Sequence, residues 1–305
     1  MVERSRLFDI FTQVVLLLGF LAALGPIALV VIAASQNLQE VNTVPMPLHP
    51  GSDLWHNLTL AWSRARLSTG LVNGIAFATA VAAGKVVLSA ISAFSIVFFN
   101  YRGRIAIFWI IFVTLMLPLE VRIVPTYAVA SNVLGPYQAI LDLTGITALI
   151  NWITGIRISM EWGMLNSLSG LTLPLVATVT GTFLYRQFFM TIPNELVEAS
   201  RMDGSGPLRF FIEVLLPLSK SNMAALFTIM FIWAWNQYLW PLLVTTDPDH
   251  AVAVTNLKYL IPDGEGGPPE WNVAMAGTLI VLLPPLVVVI VMQRWFVRGL
   301  VATEK

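Results

Sequence analysis

The sequence contains no cysteine. Disulfides, thiolate metal sites and thiol nucleophiles are therefore excluded, although the absence of cysteine does not fix the cellular compartment. Charge is also scarce, because 11% of the 305 residues are charged, whereas a typical soluble domain has about 25%. Lys and Arg together number 17, and so do Asp and Glu. This zero net charge argues against a nucleic-acid partner.

Patterns for catalysis are missing as well. The three histidines, His49, His56 and His250, do not have the spacing of metal ligands. The sequence has no G-x-x-x-x-G-K-[ST] loop to hold the phosphates of a nucleotide. We therefore expect no catalytic residue, no metal and no cofactor in this chain, and any ATP hydrolysis must take place in another subunit.

Hydrophobic residues are abundant, at 57% of the chain with a mean hydropathy of +0.77, which predicts an all-α integral membrane protein. A helix needs roughly 20 apolar residues to cross the hydrocarbon layer. Six such runs are found, near residues 11–35, 72–99, 105–129, 170–190, 221–244 and 272–297. The first run is also compatible with a signal peptide, but its apolar stretch is longer than such peptides have.

The positive charges predict the orientation of these six segments. With the N-terminus in the cytoplasm, the outer segments hold five cations and the inner ones hold eleven, with Lys85 left inside a helix. The five outer cations are Arg64, Arg66, Arg122, Arg157 and Lys258. Because Lys and Arg are enriched in cytoplasmic loops, we expect both termini to face the cytoplasm.

The stretch "ELVEASRMDGSGPLRFFIEVLLPLSKS", between the fourth and fifth apolar runs, predicts two short amphipathic helices on the cytoplasmic side. Pro193 suits the start of the first helix, and Gly204 suits its end. We expect Ser205 to cap the second helix and Pro217 to end it. By this pattern alone, the segment fits either a helix lying on lipid or a surface for a partner protein.

The spacing of certain residues favours the partner. Glu198-Ala199-Ser200 is followed by three residues and Gly204, then by nine residues, Val214, one residue and Leu216-Pro217. This resembles the EAA signature of binding-protein-dependent ABC import permeases, in which EAA, G, I and LP follow the same spacing. Ser200 stands where the signature has Ala, and Val214 where it has Ile.

The resemblance extends over most of the chain, through "SAFSIVFFNYRGR", "TLMLPLEVRIVPTY", "WNQYLWPLLVTTD" and "MQRWFVRGLV". These stretches are similar to carbohydrate-type permeases, and most of all to permeases of sn-glycerol-3-phosphate importers. Residues 136–168 depart from that pattern, because the family has a short link where this chain has an insertion on the predicted periplasmic side.

The resemblance implies a type I importer permease fold with six transmembrane helices in the bacterial inner membrane. It also implies a second homologous permease subunit, two ATP-binding cassette subunits and a periplasmic substrate-binding protein as partners, with lipid around the helices. Residues 191–220 would form a cytoplasmic coupling loop that contacts an ATPase subunit. The residues implied in this contact are Glu195, Leu196, Glu198, Ala199, Met202, Asp203 and Gly204.

Polar groups at membrane depth are costly and therefore mark candidates for the substrate pathway. These candidates are Lys85, Glu120, Arg122, Asn236, Gln237, Tyr238 and Trp240. Three other interpretations stay open for them. Lys85 either snorkels or pairs with a neighbouring helix, and Glu120 and Arg122 form ion pairs with each other or with another subunit. Asn236, Gln237 and Tyr238 belong to an aromatic belt at the interface, with the flanking Trp233, Trp235 and Trp240.

Two questions of function remain at this point. The implied substrate is sn-glycerol-3-phosphate or a glycerophosphodiester, with a neutral sugar or oligosaccharide as the alternative. An ion-coupled secondary carrier is the alternative from another class, but such carriers need buried ion sites at mid-membrane. The scarcity of acidic residues within the apolar runs argues against a carrier.

Overall fold

The computed structural model describes residues 6–157, 159–177, 179–261 and 268–301. These residues form helices, turns and irregular segments, without a β-strand. The helices are α1 (Arg6–Ser35), α2 (Leu38–Val41), α3 (Leu54–Arg64), α4 (Leu67–Phe98), α5 (Arg104–Met116), α6 (Leu119–Ser131), α7 (Gly135–Leu143), α8 (Ile146–Thr154), α9 (Leu168–Val176), α10 (Val179–Met190), α11 (Asn194–Met202), α12 (Pro207–Phe210), α13 (Leu216–Leu218), α14 (Lys220–Trp235), α15 (Leu239–Val244), α16 (Ala253–Asn256) and α17 (Trp271–Val301). A π-turn, Phe211–Leu215, joins α12 to α13, and a 3-10 turn, Leu257–Leu260, follows α16.

Three helices in the described part of the chain are long and apolar enough to cross a membrane by themselves. They are Phe8–Ser35, Leu67–Phe98 and Trp271–Trp295. Two bent pairs raise this number to five if each pair is one span. The all-helical fold agrees with the sequence prediction, whereas the count of six spans stays a prediction.

Breaks divide three of the predicted spans. The predicted third span is two helices, α5 and α6, separated by extended residues at Leu117 and Pro118. A residue before proline avoids helical geometry, which accounts for the break. The predicted fourth span is α9 and α10, bent by 48°. The predicted fifth span is α14 and α15, separated at residues 236–238.

The helical segments form two compact units. The first unit contains the described residues within 1–71 and 255–283, and its polar core is centred on Asn57. The Asn57 Nδ2 group donates to the Ala34 and Gln36 carbonyls at 2.9 Å, and its Oδ1 accepts from Asn272 at 3.0 Å. These bonds fix the chain where it leaves α1, because buried amide groups are costly without partners.

The second unit contains the described residues within 72–254 and 284–305, which include those of the predicted insertion. The insertion forms α7 and α8, which pack against each other. Two backbone hydrogen bonds close its base: Val133 N–H donates to Trp162 O, and Met164 N–H donates to Ala130 O, both at 2.8 Å. The insertion is therefore an ordered hairpin of short helices. The coupling loop lies in the same unit.

Candidate functional site

The first half of the coupling loop is helix α11, with Pro193 as its N-cap. The helix ends in a left-handed residue, Gly204, whose φ is 74°. The Ser205 N–H donates to Ser200 O, and the Gly204 N–H donates to Arg201 O, both at 3.0 Å. These two bonds form a Schellman motif, in which glycine is favoured because it has no Cβ. The helix start at Pro193 and its end at Gly204 are confirmed.

The side chains predicted to contact an ATPase lie on the surface of α11. Glu195, Leu196, Glu198, Ala199, Met202 and Asp203 are all exposed. Met202 is the extreme case, with 83% of its surface accessible, while Ser200 on the opposite side is buried. The helix therefore presents an apolar strip with acidic residues beside it, and this face is free for a partner.

The second half of the loop differs from the sequence prediction at both ends. Gly206 is the N-cap of α12 and no side chain caps the helix, so the expectation for Ser205 was wrong. The helical path also continues through Pro217 to Leu218 and then bends by 74° into α14. A π-turn precedes Pro217, in which the Leu216 N–H donates to Phe211 O. Because proline lacks an N–H, it fits in this helix directly after the wider turn.

A cluster of phenylalanines joins the coupling loop to two long helices. The ring of Phe211 lies 4.8 Å from that of Phe94, and the ring of Phe210 lies 5.5 Å from that of Phe98. Phe98 also contacts Phe189 of α10, at 5.9 Å between ring centroids. Aromatic pairs at such distances add about 0.5–1.5 kcal/mol each beyond their area burial. The cluster therefore holds α12 firmly against α4 and α10.

A cavity of about 340 Å³ lies among α4, α6, α10 and α14 of the second unit. Four of the seven predicted substrate-pathway residues line this cavity: Lys85, Glu120, Arg122 and Gln237. Its other lining residues are Met116, Leu117, Pro118, Ala177, Val179, Thr180, Met230 and Trp233. The structure thus brings together polar groups that are up to 152 positions apart in the sequence.

Lys85 and Arg122 give the cavity its positive charge. Lys85 is only 5% exposed, and its Nζ lies 3.9 Å from the centre of the Trp233 ring. Arg122 is near enough to repel it electrostatically, and the Arg122 Nε is buried without a hydrogen-bond partner. Among the described residues, neither cation forms an ion pair with a carboxylate. The alternative of a mutual ion pair between Glu120 and Arg122 is therefore not formed, whereas an ion pair with another subunit stays a prediction.

The other three predicted pathway residues lie elsewhere. Asn236 is exposed, and its amide donates to the Ile232 carbonyl at 2.9 Å. Tyr238 is also exposed and does not line the cavity. Trp240 is completely buried, and its Nε1 donates to Leu171 O at 3.1 Å. Trp240 therefore anchors α15 to α9.

Thr180 and Trp233 line the cavity but were not among the predicted site residues. The sequence did indicate Trp233, because it lies three residues after Met230 and four before Gln237. Residues with this spacing share one face of a helix. For Thr180 the sequence offered no comparable signal, because it lies beside a break between two helices that the hydropathy pattern does not reveal.

Comparison with known proteins adds a decisive observation to this geometry. The family model described as "Binding-protein-dependent transport system inner membrane component" matches residues 85–301. This chain belongs to that family. It is therefore a transport subunit of the inner membrane and works in a complex with ATPase and binding-protein partners.

Relatives of this family member match it along its whole length. A protein of Pectobacterium atrosepticum named "sn-glycerol-3-phosphate transport system permease protein UgpE" is 46% identical, with 100% of both chains covered. Proteins of the same name from Yersinia enterocolitica and Escherichia coli are 44% and 45% identical, again with 100% of each chain covered.

A solved structure shares the fold. It is described as the crystal structure of a bacterial ABC transporter involved in the import of the acidic polysaccharide alginate, and a chain of it matches with a TM-score of 0.70. The match covers 97% of this chain and 99% of the other at 20% sequence identity. At this identity the likeness concerns the fold alone, which is that of an ABC importer permease.

Proposed function

We propose that this chain is the permease subunit of an ATP-driven importer of sn-glycerol-3-phosphate and glycerophosphodiesters. The observation that carries the proposal is full-length identity of 43–46% to permeases named for sn-glycerol-3-phosphate transport. The chemistry of the cavity supports the same substrate class. Its lining holds two cations and one carboxylate, and a net positive cavity suits a phosphorylated polyol better than a neutral sugar.

The coupling loop is the surface that binds an ATPase subunit. Glu198 and Glu195 supply charge to this contact, and Leu196, Ala199 and Met202 supply the packed face, with Gly204 making the turn after α11. Support comes from the exposure of this whole face in the isolated chain. Apolar side chains in such a position mark a protein interface.

The importer converts closure of the ATPase dimer into a change of access to the substrate cavity. A second homologous permease subunit forms the other half of the pathway, two ATP-binding cassette subunits bind on the cytoplasmic side, and a periplasmic protein delivers the substrate. Both termini of this chain face the cytoplasm. Rotation of the coupling loop moves α10 and α14 as rigid elements. Rigid-body movement of this kind couples the ATPase contact to the distant substrate cavity.

The ligand of the cognate periplasmic binding protein tests this function. We expect it to bind sn-glycerol-3-phosphate or its diesters, and we expect a cytoplasmic ATPase to co-purify with this chain. Isothermal titration with glycerol-3-phosphate, glycerophosphocholine and neutral sugars measures the first point. Tight binding of a neutral sugar without binding of glycerol phosphates would refute the substrate, and purification without any ATPase would refute the importer.

A further inference from the structure

The positive cavity in the second unit has the features of an anion-binding site. Lys85 is more than nine-tenths buried and lines it, with a tryptophan ring instead of a carboxylate beside its ammonium group. Arg122 adds a second positive charge and a buried Nε without a hydrogen-bond partner. Unpaired charges at membrane depth are expensive. A negatively charged ligand would compensate both charges.

Two helix N-termini reach the same cavity. Helix α6 begins at Leu119, after Pro118, and helix α10 begins at Val179. Pro118 and Val179 both line the cavity. The first backbone N–H groups of a helix have no partner within the helix and carry partial positive charge. Such half-helix ends bind anionic substrate groups in other membrane transporters.

Polar groups for an uncharged part of the ligand are also present. Gln237, Thr180 and Glu120 line the cavity beside the two cations, and their amide, hydroxyl and carboxylate groups are suited to the hydroxyls of a polyol. The volume of about 340 Å³ lies at the low end of the range for small-molecule sites. The cavity therefore suits a three-carbon ligand better than an oligosaccharide.

We propose that this cavity is the transient substrate site of the permease, in which Lys85, Arg122 and the N-termini of α6 and α10 bind the phosphate group of a phosphomonoester or phosphodiester. The polyol hydroxyls contact Gln237, Thr180 and Glu120. This inference rests on the proposed function, because it requires a phosphorylated substrate.

Charge removal at Lys85 separates a binding role from a structural one. In Lys85→Met the side chain keeps its length and loses its charge, so a buried unpaired ammonium group is replaced by an apolar group that suits its surroundings. We expect the assembled importer to be at least as heat-stable as the wild type, while uptake of glycerol-3-phosphate falls about ten-fold or more. A merely structural lysine would change stability and uptake together.

Arg122 provides the second variant and a test of charge. Arg122→Gln is expected to reduce uptake to a similar degree, whereas Arg122→Lys keeps the charge and most of the uptake. Lys258→Met is the matched control, because Lys258 also lies near an aromatic ring, that of Tyr259 at 5.0 Å, but does not line the cavity. We expect wild-type uptake from this control.

The experiment uses proteoliposomes with the complete importer, loaded binding protein and radiolabelled glycerol-3-phosphate. Uptake by Lys85→Met or Arg122→Gln at the wild-type rate overturns the cavity assignment and leaves the proposed function intact. If the wild-type importer transports no glycerol-3-phosphate, both proposals fail. An equal defect in ATP hydrolysis without substrate would show that the two cations act in assembly or coupling, and would also overturn the substrate site. If Arg122→Lys loses as much uptake as Arg122→Gln, the proposed role of positive charge at position 122 is wrong.

Discussion

Gly204 offers a sharp test of the coupling loop, because its conformation and its surroundings are both defined. Its φ of 74° lies in the left-handed region, and a Cβ added at this position would meet no atom within 4 Å. Within this chain, the cost of a side chain at position 204 is therefore purely conformational. For an L-residue this cost is roughly 1–2 kcal/mol, whereas asparagine tolerates the left-handed region better.

A series of substitutions follows from this geometry. A loss of 1–2 kcal/mol changes a conformational equilibrium by a factor of about 5–30. We therefore expect Gly204→Asn to retain most transport, Gly204→Ala to lose part of it, and Gly204→Val to lose the most, because a β-branched residue fits positive φ worst. Uptake by proteoliposomes and retention of the ATPase during purification measure the order.

Gly206→Ala is the matched control for this series. Gly206 is two residues away and also has no atom within 4 Å of an added Cβ, but its φ is −72°, which any residue adopts. We expect this variant to transport normally. If Gly204→Asn is less active than Gly204→Ala, side-chain size at the ATPase contact decides the effect, and the conformational reasoning is refuted.

Three further predictions concern the loop and the insertion. Glu198→Lys should leave the chain in the membrane but release the ATPase during purification, and normal uptake would contradict the docking assignment. Leu143→Cys in the insertion should react with an impermeant thiol reagent from the periplasm, and Met202→Cys only after the cytoplasmic face is opened; the reverse would overturn the topology. Phe211→Ala should lower uptake per ATP hydrolysed, because it removes a ring that links the loop to α4, whereas the exposed neighbour Ile212 should tolerate alanine.

The continuous membrane helices were predictable because their apolar runs are long and uninterrupted. α1, α4 and α17 all lie close to the runs at 11–35, 72–99 and 272–297. The local geometry at Gly204 was equally predictable, since a glycine after a helix end has few alternatives. These features depend on residues that are close in the sequence, where periodicity and turn chemistry carry the information.

The breaks and the cavity were harder to predict because they depend on distant contacts. Hydropathy averaged over 20 residues does not resolve a two-residue break such as that at Leu117 and Pro118. The sequence identified Lys85 and Arg122 as polar groups in apolar surroundings, but not that they share one cavity. It also suggested a pathway role for Trp240, whose indole is instead used to anchor α15.

The cavity and the coupling loop are linked through the same three helices. α4 runs from Lys85 at the cavity to Phe98 in the phenylalanine cluster, a distance of about 20 Å at 1.5 Å per residue. α10 leads from its first turn at the cavity to Phe189, and α14 leads from the end of the loop to Trp233.

By contrast, Arg122 lies on α6, which contributes no ring to the phenylalanine cluster. A movement of the loop that displaces α4 relative to α6 would change the distance between Lys85 and Arg122. Since both cations are proposed to hold one phosphate, separating them weakens binding of the substrate. The same movement that opens the pathway would thus favour release of the substrate. Access to the cavity and its affinity for the substrate are linked because the two cations lie on different helices.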